Sequence, residues 1–338
     1  IYVNVTDGIR LIELADKGAI VKIESDIMWQ KKTVSNIIGV IEGTDPELKD
    51  QIIVVSAHYD TWSITPALAP GADESTGIAT LLEFARYFKQ HPPKRTVWFV
   101  ALAAHWQALQ GAIAFTEHYF FQEGKKIWLW INLDYSTDVN KLGVLYGGNF
   151  YNYYGSRCES RFIKWLRPAI WDEVLVDVER DLGRNIREVL VENGLIPDVP
   201  GQPGQAVKWV PVRYILDTEP FAVAGGLGIT LRTIQNFRFH WGHPLSNLDT
   251  IKFENLWDQV EVSICIVYGL VNIDEIKMSW EEVGPYRRHV MSLMGKGLLS
   301  ILGQVKIYNA SRMFYDNFPT PRGKIMIIRT YTSGAAYD

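Results

Sequence analysis

Three apolar runs, IIVVSA at 52–57, TVWFVALA at 96–103 and KIWLWINLD at 126–134, constrain this chain more than any other feature. Each is rich in β-branched and aromatic residues and is apolar at consecutive positions rather than at alternate ones, the pattern of a strand covered on both faces. Helical patterns lie between them. ESTGIATLLEFARYFKQ (74–90) carries apolar residues at 78, 81, 82 and 85 and stops before Pro92-Pro93, and a second helix is expected from 106 to about 120. The order β-α-β-α-β predicts an α/β fold, a mostly parallel central sheet flanked by helices in a sandwich, with a C-terminal extension. Further strands are expected in AIVKIES (19–25), VSNIIGVIEG (34–43) and GLGITLRTI (226–234), and FENLWDQVEVSICIVYGLVN (253–272) reads as a long amphipathic helix.

Residues 1–18 read as the end of an upstream segment and 19–275 as the main domain. Within it, 150–215 forms a lobe rich in charge, Gly and Pro. Residues 276–338 form an extension with its own helix, GPYRRHVMSLMGKGLLSIL, and a last strand-like KIMIIRTYT. The chain starts at Ile1, as a piece trimmed from something longer would.

With 34 basic and 38 acidic residues and no long block of one sign, the net charge of −4 gives no reason to expect nucleic acid as a partner. The apolar runs fall well short of the roughly 20 residues a membrane span needs. Sequons at Asn4 and Asn309 fit an extracellular or cell-surface glycoprotein. Cys158 lies in a polar stretch and Cys265 in the apolar SICIVYGL, where a buried thiol is expected; a disulfide between them stays open.

In open α/β sheets, polar residues at the carboxyl ends of adjacent strands converge on one crevice. Here His58 and Asp60 follow the strand at 52–57, Asp73 opens a helix in GADESTG, Asp134 ends the strand at 126–134, and His243 and Asp249 lie in GHPLSNLDT. Imidazoles and carboxylates are the ligands a zinc ion takes, and an Asp two residues after a His is placed to orient it.

HYD at 58, GADESTG at 71, LQGA at 109–112, NLD at 132 and HPLSNLDT at 243 resemble the successive motifs of the M28 family of zinc aminopeptidases and carboxypeptidases, which includes a transferrin-receptor-like branch. The resemblance covers roughly 20–275, and IRLIELADKGAIVKIES also resembles the tail of a protease-associated insert. It implies that His58, Asp73 and Asp134 correspond to the ligands of one zinc, with Asp73 bridging, and His243 to a ligand of the second. Asp60 corresponds to the aspartate behind His58, and Asp249 to the Asp of the closing motif. Two acids are missing: counting back from Leu109 and Gly111 puts His105 at the general-base position and Trp106 at a ligand position, and an indole offers a metal no lone pair.

The sequence therefore leads to a peptidase-like protein that has lost catalysis. It keeps at most one zinc, has no confident catalytic residue, and serves as a scaffold, assembly or binding module within a homo-oligomer or larger extracellular assembly. The alternative is an active mono-zinc exopeptidase, in which case the partner is a peptide substrate and His105 serves as base.

Overall fold

The protein is described from a computed structural model, which covers residues 3–22, 24, 26, 31–63, 67–145, 165–166, 168–183, 188–196, 215–224, 226–236, 238–276, 306–309 and 314–317. Seven strands, β1 (Ile37–Ile41), β2 (Ile52–His58), β3 (Val97–Leu102), β4 (Ile127–Asp134), β5 (Leu142–Leu145), β6 (Leu190–Ile196) and β7 (Gly228–Thr233), form one sheet in the order β1-β3-β2-β4-β7-β5-β6. The four central strands β3, β2, β4 and β7 run parallel, so their carboxyl ends share one edge. β1 is antiparallel to β3 and β5 antiparallel to β7, while β5 and β6 are parallel. The fold is the mostly parallel α/β sandwich that the apolar runs imply.

Alternation along the central strands explains why those runs are apolar throughout. Ile53, Val55, Ala57, Val97, Phe99, Leu129, Ile131 and Leu133 face one layer, where Leu81, Phe84 and Phe88 of α2 (Thr76–Gln90) join one cluster with Val262, Ile266 and Leu270 of the long C-terminal helix (Phe253–Asn272). Val54, Val100, Leu102 and Trp130 face the other, against Ala112 and Phe115 of α3 (Gln110–Phe115) and Phe221 of a short helix at Glu219–Val223. With both faces covered, neither face leaves room for a charged side chain until the strands end.

The helix after β3 starts later than the sequence suggests. Residues 106–109 are not helical: Ala104, Ala108 and Leu109 hold φ of 55°, 58° and 61°, and the helix opens at Gln110. The left-handed turns let the chain stop, bury Leu109 and re-enter the layer below the sheet. Gly111 then packs so closely that a Cβ there would stand 2.0 Å from the Ala103 carbonyl oxygen and 2.7 Å from Asn36 Oδ1. Asn36 ties the same junction, donating to the Gly111 carbonyl (2.8 Å) and accepting from Ala103 N–H (3.0 Å).

AIVKIES gives no strand at its described positions, and Ile20 is almost wholly exposed. By contact density the chain divides between Val34 and Ser35; the first unit holds helix α1 (Val5–Asp16), whose first turn is capped by Asn4 accepting from Asp7 N–H. In the extension, β8 (Lys306–Asn309) and β9 (Phe314–Asn317) pair as an antiparallel hairpin. Most of the 150–215 lobe, Cys158, the extension helix and KIMIIRTYT lie outside the described residues.

Gly111→Ala is expected to cost about 2–3 kcal/mol of unfolding free energy, the upper range of core overpacking, because the nearest group it meets, the Ala103 carbonyl, is backbone and cannot step aside, and the Asn36 side chain beside it is held by two hydrogen bonds. Chemical denaturation checks this; a loss under about half a kilocalorie would mean the β3-α3 junction is looser than its contacts indicate.

Candidate functional site

The carboxyl ends of the parallel strands, with the loops that follow them, bring together a buried polar cluster. β4 delivers Asp134 and β7 delivers Arg232, and the two are direct register partners on adjacent strands. Arg232 makes an ion pair with Asp134 Oδ2. From the next loop Arg238 donates to Asp134 Oδ1 (2.7 Å), to the Asp134 carbonyl (3.0 Å) and to the Tyr135 carbonyl (3.3 Å). Both guanidiniums are buried, and Arg238 and Arg232 lie 4.6 and 5.7 Å from the centre of the Trp241 ring. Burial and the neighbouring Arg238 lower the pKa of Arg232, although a guanidinium stays charged in any such setting. One carboxylate thus carries two cations.

Asp73 stands in the loop before α2 and is equally committed. Its carboxylate accepts from Ser136 Oγ (2.5 Å), Thr137 N–H (2.8 Å) and Thr137 Oγ1 (2.9 Å), and Ser136 Oγ in turn accepts from Asn236 (2.6 Å). Asp73 N–H donates to Ser246 Oγ in the closing loop (3.3 Å), which ties that loop to the cluster.

His58 ends β2. Its ring stacks on His105, with centroids 4.1 Å apart and planes 17° apart. His58 Nδ1 lies 2.8 Å from the Asp60 carbonyl and 3.7 Å from its carboxylate, whose two oxygens instead accept the N–H groups of His105 (3.2 Å) and Trp106 (3.3 Å). His105 Nδ1 lies 2.9 Å from Asp217 Oδ2, and both residues are buried. Burial disfavours the charge on both rings. For His58, Asp60 and Asp217 outweigh it and the pKa rises above the ordinary imidazole value; for His105, burial wins and the pKa falls.

Trp106 fills the centre. It meets His58, His105, Trp62 and Trp241 edge-on at centroid distances of 6.1, 4.8, 4.5 and 5.0 Å. Glu74 closes this wall, accepting Trp62 N–H (2.7 Å) and Gly242 N–H (3.3 Å); burial raises its pKa above the usual carboxylate value.

The structure therefore brings His58, Asp60, His105 and Trp106 together, and separately joins Asp73 and Asp134 to hydroxyl, amide and guanidinium donors. His243 belongs to the turn at 240–246, where its Nδ1 accepts Leu245 N–H (3.0 Å), and Asp249 is exposed in the short 3₁₀ turn Leu248–Thr250. Among the described residues no group of three or more His, Cys, Asp or Glu side chains is placed to hold a metal ion. Asp134 does not fit a metal ligand in this arrangement, since the positions in front of its oxygens are taken by guanidinium nitrogens.

Sequence reasoning missed Arg232, Arg238 and Asp217. A signal existed for Arg232: an arginine inside the apolar strand GITLRT must find a carboxylate when that strand is central. Asp217 in LDTEP gives no comparable sign.

Residues 36–169 match the model of peptidase family M28. The chain is 34% identical over 121 residues to a probable zinc metalloprotease of Pyricularia oryzae, covering 34% of this chain and 23% of that protein. It is 31% identical over 142 residues to aminopeptidase YwaD of Bacillus subtilis, covering 41% and 29%, and 39% identical over 115 residues to a vacuolar membrane protease of Schizophyllum commune, covering 34% and 11%. The matched part is thus less than a third of each relative's length. Among solved structures, a zinc aminopeptidase from Bacillus subtilis superposes with a TM-score of 0.49 at 19% identity, covering 73% of this chain and 53% of that one.

Asp134→Ala removes the carboxylate that two buried guanidiniums share and is expected to cost about 3–5 kcal/mol in denaturant unfolding. Titrating the imidazoles by NMR should protonate His58 at a higher pH than His105. Because the folded pKa of His58 is raised, its stabilising contribution is present below the unfolded imidazole pKa and is lost as pH rises through the folded one. The reverse order of titration would mean that Asp217, not Asp60, governs the pair.

Proposed function

We propose that this chain, which carries a peptidase family M28 domain at residues 36–169, does not hydrolyse peptides and works as a binding or assembly module. The observation that carries this reading is the double engagement of Asp134 by Arg232 and Arg238. Metal-assisted hydrolysis needs carboxylate oxygens open to a cation and a group that takes a proton from the attacking water. Here the cation at Asp134 is supplied by the chain itself. His105, at the position expected for the base, stacks on one imidazole and is bonded to Asp217, and Trp106 occupies the space beside it. A general base contributes typically about 10²–10⁴ in rate, so its loss alone is a large deficit. The names of the relatives, zinc metalloprotease and aminopeptidase, describe those proteins. The competing reading, an exopeptidase with a single zinc at His58, Asp73 and Asp134, requires Asp134 to release both arginines.

An extracellular or cell-surface setting rests on the sequons at Asn4 and Asn309. Among the described residues no helix is long and apolar enough to cross a membrane.

Elemental analysis after dialysis against zinc, combined with an assay on aminoacyl p-nitroanilides, separates the two readings. Much less than one zinc per chain and no turnover are expected. One tightly held zinc with turnover abolished by His58→Ala would establish the exopeptidase. His105→Glu with Trp106→Glu is expected to stay inactive while Arg232 and Arg238 remain, since the restored acids still face an Asp134 that is already neutralised.

A further inference from the structure

The sheet ends at β1, and nothing among the described residues pairs with its outer edge. Natural edge strands are usually protected from pairing with another chain by lysine, proline, a bulge or a charged side chain turned inward. None of these occurs in β1, whose five residues are Ile37-Ile38-Gly39-Val40-Ile41, paired with β3 residue by residue without a shift. Ile37 is 65% exposed and Val40 53% exposed, while Ile38 and Ile41 pack against the two core layers.

The strand is self-complementary about Gly39. If a second β1 lies antiparallel beside it with the two-fold axis at Gly39, Gly39 faces Gly39, Ile38 faces Val40 and Ile37 faces Ile41. Each cross-strand pair beyond the axis is apolar on apolar, the class that stabilises neighbouring strands. Beyond the strand, Glu42 meets the second copy's Asn36, so no like charges are opposed. A two-fold axis also makes the contact closed rather than open-ended. A one-residue shift of the pairing would turn one copy's two faces over relative to the other's, so that the layers of the two subunits would no longer continue one another.

We propose that the outer edge of β1 is a homodimer interface, in which two copies of this chain join through antiparallel β1–β1 pairing centred on Gly39 and merge their sheets. The pairing supplies about four to six backbone hydrogen bonds, according to which alternate set of residues points outward. This interface goes beyond the proposed loss of catalysis and does not depend on it.

Gly39 supplies the test. A Cβ built there meets nothing within 4 Å, so Gly39→Cys leaves the subunit undisturbed. Residues directly opposed in an antiparallel pair have Cα atoms about 4.5–5.5 Å apart, within disulfide range. Under mild oxidation the full chain with Gly39→Cys should give a covalent dimer on non-reducing gels, whereas Ala79→Cys, on the exposed face of α2, should not. Light scattering on the unmodified protein should show a mass near twice that of one chain, and Val40→Lys should shift it to the monomer at the same concentration with its circular dichroism unchanged. A protein that stays monomeric at high concentration and fails to crosslink through Gly39→Cys overturns the proposal. So does a dimer that persists in Val40→Lys and resists crosslinking, since it would use another surface.

Discussion

Four parallel strands, buried on both faces, are the constraint from which the rest of this molecule follows. Ile53, Val55, Leu129 and Ile131 on one side and Val54, Val100 and Trp130 on the other leave no place for charge along the strands. Polar chemistry is therefore pushed to where the strands stop. His58, Asp134, Arg232 and the loops carrying Asp73, His105 and Arg238 meet at that edge because the layers above and below reject them.

What gathers there is a set of charges balanced within the chain. Asp134 has its cations in Arg232 and Arg238, Asp73 has hydroxyl and amide donors, Asp60 has the N–H groups of the turn after β3, and His105 has Asp217. Leaving any one of these groups without its partner in a buried setting costs more than the pairing itself contributes, so the cluster holds as a unit. Trp106 suits that unit: it adds apolar volume where another acid would have needed yet another counter-charge.

The legibility of this arrangement in the sequence follows the same division. Strands β2, β3, β4 and β7 and the helices at 76–90 and 253–272 were readable because burial on both faces writes itself as continuous apolar runs and helical spacing. The helix after β3 starts later than its sequence implies because WQAL carries no breaker, and only packing of Leu109 and the tight fit of Gly111 impose the left-handed turns. His58 and Asp134 are legible from their places at the ends of strands, Asp73 from its place at the start of a helix, and His105 and Trp106 from the resemblance of the segment up to Leu109 and Gly111 to the family motif. Their partners are not, because a counter-ion such as Asp217 or Arg238 comes from a loop far along the chain, and no local pattern records which loop will fold over the edge.

The rung joining β4 to β7 carries one more implication. Asp134 and Arg232 face each other across adjacent parallel strands on the same side as Trp130 and Thr230. Parallel neighbours made of similar apolar residues are otherwise nearly interchangeable by a slide along their length. If β7 slid by one residue, the guanidinium would turn into the opposite, apolar layer beside Ile131 and Leu133 of β4, away from Asp134. The ion pair thus acts as a key to alignment, allowing only one way for the central sheet to zip shut.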